Sequence, residues 1–152
     1  MSMDTPPQSY PPFESERAVL DIVAGFRARS LPRPAWTHQA HLAVGLWHVL
    51  TFGEAAAKPL LREGIRRYNE SVGTPNSDTR GYHETVTMFY VWAAARFAEL
   101  NGPGALLDLV NGFVASRLGA KETAFDHWSR ERLLSVAARH GWVEPDLRPL
   151  GL

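Results

Sequence analysis

Two short segments of this chain carry side chains that could do chemistry. The first holds His38 and His41, three residues apart, and the second holds His83 and Glu84 directly after Tyr82. An imidazole at the edge of an apolar surface needs a hydrogen-bond partner, a charge or a metal ion. Neutral imidazole binds metals and accepts protons, and a neighbouring carboxylate can act as a further ligand or as a general base.

The spacing of these residues predicts a divalent-metal site. Three residues along a helix correspond to about 4.5 Å of rise, so His38 and His41 can reach one ion. With His83 as a third ligand and Glu84 as a fourth ligand or catalytic base, the donors fit Zn, Ni, Mn or Fe(II). An open position on such an ion would activate water for a hydrolase or lyase-type step on a small molecule. The chain has no cysteine, which excludes thiolate ligands and cysteine nucleophiles.

Four further side chains are candidates for substrate binding. Tyr68 and Asn69 lie at the end of the predicted third helix, although an asparagine there is also a common helix cap. Tyr82 and Thr87 flank the second histidine segment. Each of the four could orient a small molecule through a hydroxyl or an amide group.

Periodic apolar residues predict that helices position all of these groups. The predicted helices cover 15–30, 38–51, 54–72, 82–100, 105–118 and 122–138, with a break in the last one at Ser135 and an irregular strap from residue 141. No segment alternates long enough to indicate a strand. We therefore expect an all-α bundle of five to six helices over residues 14–152. The proline-rich residues 1–13 are expected to form a disordered or extended lead-in.

Two of the predicted helices, 38–51 and 82–100, are apolar on nearly every side, which is typical of helices at the centre of a bundle. If consecutive helices are antiparallel neighbours, the starts of these two helices lie at the same end of the bundle. The two histidine segments are then expected to meet. Gly45 lies between His38, His41 and His48 on one arc of the helix and has no side chain, so it would leave space beside these imidazoles for a ligand or another helix.

Two interpretations without a metal stay open. In one, neutral imidazoles and helix N-termini hold the anionic group of a small molecule, such as a carboxylate or phosphate. In the other, the histidines are hydrogen-bonded core residues of a non-catalytic protein-interaction domain. The residue pattern alone does not decide whether the protein is an enzyme.

Composition narrows the choice of partners. Sixteen basic and sixteen acidic side chains cancel, and no basic stripe indicates nucleic-acid binding. The first residues lack the order of a signal peptide, and the longest apolar run is too short for a bilayer span. We therefore expect a cytoplasmic protein with no membrane partner. A small-molecule ligand and a homo-oligomer are both compatible with this composition.

Several short motifs occur together in this chain. They are Trp36-Thr37-His38-x-x-His41-Leu42, Gly81-Tyr82-His83-Glu84-Thr85-x-Thr87, Leu31-Pro32, Arg67-Tyr68-Asn69 and Trp142-x-x-Pro145-Asp146-Leu147. As a set they resemble a family of small bacterial all-helical proteins with no established activity, over the chain from about residue 17 onward. The resemblance implies that His38, His41, His83 and Glu84 belong to one pattern. It implies no particular chemistry.

Overall fold

The computed structural model describes residues 11–151, and within that range the chain forms helices and no strand. The α-helices are α1 (Glu16–Ala28), α2 (His38–Phe52), α3 (Glu54–Ser71), α4 (Glu84–Asn101), α5 (Leu106–Ala115), α6 (Arg130–Leu133) and α7 (Val136–His140). Short 3₁₀ turns cover Arg33–Ala35 and Thr123–Asp126. The predicted all-α fold is confirmed. No helix in the described part of the chain is long and apolar enough to cross a membrane.

The sixth predicted helix, over 122–138, is wrong as a continuous element. The chain instead forms the 3₁₀ turn at 123–126 and then the separate helices α6 and α7. The hydroxyls of Ser129 and Ser135 each accept a hydrogen bond from the backbone N–H three residues ahead and start a new helix. Serine side chains compete with the helical hydrogen-bond ladder in this way. The sequence predicts the break at Ser135 but not the one at Ser129.

Side-chain caps decide where the two histidine-bearing helices begin. Thr37 Oγ1 accepts a hydrogen bond from the N–H of Ala40 at 3.2 Å, so α2 begins at His38 as predicted. The helix α4 begins at Glu84 rather than at residue 82, because His83 acts as its N-cap. His83 Nδ1 accepts a hydrogen bond from the N–H of Val86 at 3.2 Å.

The helix α2 lies at the centre of the fold, where it packs against α1, α3, α4 and α5. Its buried residues are spread around the whole helix and comprise Ala40, Leu42, Ala43, Val44, Leu46, His48 and Val49. A helix without a polar face is stable only when it is covered on all sides. The predicted central position of α2 follows from that requirement.

A second, smaller hydrophobic cluster joins α4 to the C-terminal part of the chain. Phe89 of α4 meets Trp128 edge to face, with ring centroids 5.5 Å apart, and Ala124 and Leu133 complete the cluster. Trp128 is fully buried, and its Nε1–H donates to the carbonyl of Val143 at 3.0 Å. The helix α4 therefore separates two hydrophobic clusters and contributes side chains to both.

The irregular strap after residue 141 is bound to the first turn of α4. Thr85 Oγ1 donates to the carbonyl of Gly141 at 2.8 Å and accepts from the N–H of Val143 at 3.2 Å. The sequence predicts that the strap packs through Trp142 and Leu147. Trp142 is 40% exposed but meets the buried Trp128 edge to face, with ring centroids 5.4 Å apart, whereas Leu147 stays 60% exposed. Thr85, which is fully buried, makes the attachment that the apolar pattern does not predict.

Most of the predicted lead-in, residues 1–10, lies outside the described residues. Residues 11–13 form no regular element, and the backbone of Phe13 is held by the side-chain amide of Asn111 in α5. The amide accepts from the Phe13 N–H at 2.8 Å and donates to its carbonyl at 3.1 Å. The chain is thus fixed to the bundle from residue 13 onward.

Candidate ligand pocket

A pocket of about 520 Å³ lies between the main hydrophobic core, which includes Leu42, Val44 and Val91, and the second cluster around Trp128. Its apolar walls come from α2, α3, α4 and the C-terminal segment and include Leu42, Val44, Leu61, Ile65, Val86, Val91, Phe125 and Leu133. The polar side chains on its surface are His38, His41, Thr87, Tyr90 and Lys121. A concave site of this volume, mostly apolar with a few polar groups, is typical of small-molecule binding.

Gly45 keeps part of this pocket open. It lies inside α2 and lines the pocket, and a Cβ atom added to it would meet no neighbouring side chain or other element within 4 Å. Glycine inside a helix costs about 0.5–1 kcal/mol relative to alanine. Neither close packing nor a left-handed backbone requires glycine at this position. The predicted space is present beside His38 and His41, where it belongs to the pocket, whereas the buried His48 does not line it.

His41 presents one ring nitrogen that is available to a ligand. Its Nδ1–H donates to the carbonyl of Thr37 at 2.7 Å, and its ring lies against Trp36 with centroids 3.8 Å apart. A carbonyl only accepts, so this bond assigns the proton of neutral His41 to Nδ1 and leaves a lone pair on Nε2. Within residues 11–151 no group donates a hydrogen bond to that Nε2.

The environment keeps His41 neutral. Its depth in the fold, which is the largest influence, lowers its pKa below the ordinary value, and nearby positive charge acts in the same direction. The side chain of His41 nevertheless keeps an exposed surface. Contact with solvent there limits how far its pKa is lowered. A neutral imidazole at physiological pH follows.

His38 joins α2 to the segment that forms the far wall of the pocket. Its Nε2 donates to the carbonyl of Gly119 at 2.8 Å, and its ring meets Tyr90 edge-on at 5.7 Å. Burial is the main cause that lowers the pKa of His38. The hydroxyl of Tyr90 donates to the carbonyl of Ala120 at 2.7 Å. Together these two side chains hold the start of the wall against α2 and α4.

His83 does not line the pocket, and both of its ring nitrogens are engaged. Nδ1 caps α4 by accepting from the N–H of Val86, while Nε2 donates to the carbonyl of Leu133 at 2.8 Å. Only the neutral ring with its proton on Nε2 can make both bonds. Burial, the leading cause, lowers the pKa of His83 and so favours that neutral form. Metal ligation by His83 would require the loss of one of these hydrogen bonds.

Glu84 is part of an ion-pair network between α3 and α4. Its two oxygens accept from Nε and Nη2 of Arg62 at 2.9 and 2.7 Å, and one of them also accepts from the hydroxyl of Tyr82 at 2.5 Å. Burial opposes ionisation, but the hydrogen bonds from Arg62 and Tyr82 hold the pKa of Glu84 below its ordinary value. This carboxylate is ionised, paired and outside the pocket lining.

Of the other predicted substrate-binding residues, Tyr68 and Asn69 make hydrogen bonds within the fold and Thr87 lines the pocket. The buried Tyr68 donates its hydroxyl to a backbone carbonyl ahead of α2 at 2.9 Å. Asn69 donates to Oδ1 of Asn76 at 3.0 Å, and the same oxygen accepts from the N–H of Tyr82. Thr87 alone among the four lines the pocket.

The three predicted metal ligands thus have separate backbone partners. In the part of the chain that the structure describes, no group of three or more histidine, cysteine, aspartate or glutamate side chains is arranged to hold a metal ion. A site in which His38, His41 and His83 share one Zn, Ni, Mn or Fe ion stays a prediction.

The sequence patterns do not predict two residues of the pocket, Trp36 and Lys121. Trp36 immediately precedes the Thr37 cap, and its spacing from His41 was a usable signal for a stacked pair. Lys121 lies at the pocket with an exposed side chain and forms no ion pair within residues 11–151. No local sequence pattern predicts that Lys121 lies at the pocket. Its position depends on how the segment after α5 folds back over α2 and α4.

Comparison with protein-family models, with curated proteins and with solved structures finds no match for this chain. The resemblance of its motifs to a bacterial helical family therefore stays a prediction.

Proposed function

We propose that this chain is a metal-free binding protein for a small organic molecule with an apolar body and an anionic group. The observation that carries this proposal is the pocket of about 520 Å³, whose walls are largely apolar and whose few polar groups include His41 and Lys121. Binding sites for small molecules combine these two features.

The apolar walls supply most of the expected affinity. A ligand that removes about 200 Å² of apolar surface from water gains roughly 5 kcal/mol before the costs of association are subtracted. Dissociation constants in the micromolar to millimolar range are therefore expected for simple probes. The aromatic rings of Trp36, Tyr90 and Phe125 at the pocket favour flat, apolar ligand bodies.

Lys121 favours an anionic group on the ligand. Its ammonium group has no acidic partner among residues 11–151, and its charge contributes to the lowered pKa values of His38 and His41. A carboxylate or sulfonate near Lys121 would offset this local positive charge. An exposed charge pair contributes about 1 kcal/mol or less, so the anion adds selectivity rather than most of the affinity.

The hydrogen bonds of His83 favour this proposal over a three-histidine metal centre. Both of its ring nitrogens already bind backbone groups, and Glu84 already binds Arg62 and Tyr82. A metal centre would have to replace several of these bonds, whereas binding an organic molecule in the pocket replaces none of them.

The experiment that tests the proposal uses 8-anilinonaphthalene-1-sulfonate, a flat apolar anion whose fluorescence rises on binding. The wild-type protein is expected to bind one equivalent, with and without a chelator. Gly45→Phe places a bulky ring in the pocket and should weaken binding at least tenfold. Gly45→Ala adds only a methyl group to the same helix position and should retain binding, so it is the matched control.

Cooperative unfolding and near-ultraviolet circular dichroism must show that both variants are folded. Equal binding by a folded Gly45→Phe variant would place the probe elsewhere and refute the proposal. Loss of binding on chelation, together with one equivalent of metal in the purified protein, would instead favour the metal-dependent alternative.

A further inference from the structure

We infer that the ligand of this pocket carries a hydroxyl or N–H group that donates a hydrogen bond to Nε2 of His41. This inference rests on the proposed function and specifies the chemical class of the ligand. The ligand would be an apolar molecule with a neutral hydrogen-bond donor on its body, in addition to an acidic group near Lys121.

The contacts of His41 fix both the orientation and the tautomer of its ring. The bond from Nδ1–H to the carbonyl of Thr37 is 2.7 Å long, and the ring lies 3.8 Å from Trp36 between centroids. Turning the imidazole over would replace Nδ1 by a carbon atom at that carbonyl and break the bond. The neutral ring thus offers an acceptor, and not a donor, on the edge away from Thr37.

This acceptor has no partner of its own within the described residues. The ring of His41 lines the pocket and keeps an exposed surface, so water can serve its Nε2 until a ligand covers it. A ligand that displaces this water without offering a donor leaves the nitrogen unpaired in an apolar site. Sites with such acceptors discriminate strongly against ligands that lack the donor.

The same geometry places the acidic group of the ligand away from His41. A carboxylate oxygen facing the lone pair of neutral Nε2 would be repelled unless one of the two groups took up a proton. The cation at the pocket is Lys121. The donor and the acidic group therefore occupy different positions on the ligand, which indicates a hydroxylated or N–H-bearing apolar acid rather than a simple fatty acid.

A matched pair of neutral probes tests the role of His41 without the acidic group. The two probes are 4-ethylphenol and 4-ethylanisole, which differ only by the methyl group that replaces the hydroxyl proton. Isothermal titration on the wild-type protein should give roughly tenfold tighter binding of 4-ethylphenol. His41→Phe keeps an aromatic ring beside Trp36 but removes the acceptor, so it should bind the two probes equally well.

A measurement on the unaltered side chain covers the case in which His41→Phe does not fold. In ¹⁵N spectra of the wild-type protein, the signal of the unprotonated Nε2 of His41 should shift on titration with 4-ethylphenol and stay fixed with 4-ethylanisole. Equal binding of both probes by the wild type, or a fixed Nε2 signal at saturating 4-ethylphenol, would overturn the inference while the pocket function stands. Failure of both probes to bind the wild type and Gly45→Ala would overturn the proposed function as well.

Discussion

His83 shows how a single neutral imidazole can join two parts of a fold. Its Nδ1 caps α4 at Val86, and its Nε2 bonds the carbonyl of Leu133, which lies on the pocket wall. Asparagine, serine or aspartate would cap the helix equally well, but none of them is long enough to bond both groups. The ring therefore performs a structural task for which its two nitrogens are both required.

At this scale we predict that His83→Ala lowers the free energy of unfolding by roughly 2 kcal/mol, through the loss of a helix cap and of a hydrogen bond to Leu133. His83→Asn should recover about half of that loss, because asparagine restores the cap alone. Urea unfolding measures both values. Equal stability of the two variants would show that the cap contributes nothing, and loss of a bound metal from His83→Ala would support the metal site instead.

At the scale of elements, α2 combines a stabilising central position with a destabilising glycine. Gly45 is the one residue inside α2 without a side chain, and the pocket extends into the space beside it. The helix would be more stable with alanine there. The proposed function excludes side chains larger than alanine at this position, since they would occupy ligand space.

We predict that Gly45→Ala raises the free energy of unfolding by about 0.5–1 kcal/mol. No contact has to move, because a Cβ at this position meets no neighbouring element within 4 Å. Thermal or urea unfolding of the ligand-free protein measures the change. A destabilised Gly45→Ala variant would contradict the open space that the structure places there. Gly64→Ala serves as a contrast, since its added Cβ would lie 3.0 Å from the ring of Phe26 and should lower stability.

The segment 119–133, which forms one wall of the pocket, is the part of the chain whose structure the local sequence patterns predicted least well. Between Gly119 and Leu133 the chain makes a 3₁₀ turn and a four-residue helix, and its two ends are bonded by His38 and His83. Each of these imidazoles donates to a backbone carbonyl rather than to a side chain. Two of the three predicted metal ligands, His38 and His83, thus hold the segment that encloses the pocket, and the metal site itself stays a prediction.

At the scale of the whole molecule, several histidines that the fold keeps neutral make stability depend on pH. Burial, the largest influence in each case, lowers the pKa values of His38, His41, His48 and His83 below 6.5 in the folded protein. The unfolded chain then binds protons more readily than the folded one, so stability is full above pH 6.5 and falls as the pH drops below it. Glu84 has a lowered pKa, so its contribution is lost only at more acidic pH, as the solution falls below about 4.5.

We therefore predict that the urea midpoint is constant from pH 8 to 7 and falls between pH 6.5 and 5, before most carboxylates titrate. The variant His83→Asn, which lacks one of the titrating rings, should show a smaller decrease over the same interval. A midpoint that stays level down to pH 5 would show that the histidines titrate alike in the folded and unfolded states. Measurement of the midpoints at four or five pH values decides between these outcomes.

The sequence by itself determined the local structure of most of the bundle. Apolar residues at helical spacing predicted α1 to α5 close to their observed bounds, and Thr37 marked the start of α2 correctly. The absence of a polar face predicted the central position of α2. These features depend on neighbours within one or two helical turns, so a linear pattern contains them.

Only the tertiary structure decided which backbone carbonyl each of these histidines bonds. His38 bonds a carbonyl 81 residues away and His83 bonds one 50 residues away. His41 bonds a carbonyl only four residues back, and its Nε2 accepts no hydrogen bond within residues 11–151. Residue type and spacing are the same for a ligand-binding and a structural imidazole. The difference lies in which backbone carbonyls the folded chain brings to each ring, and a backbone carbonyl leaves no signature in the sequence.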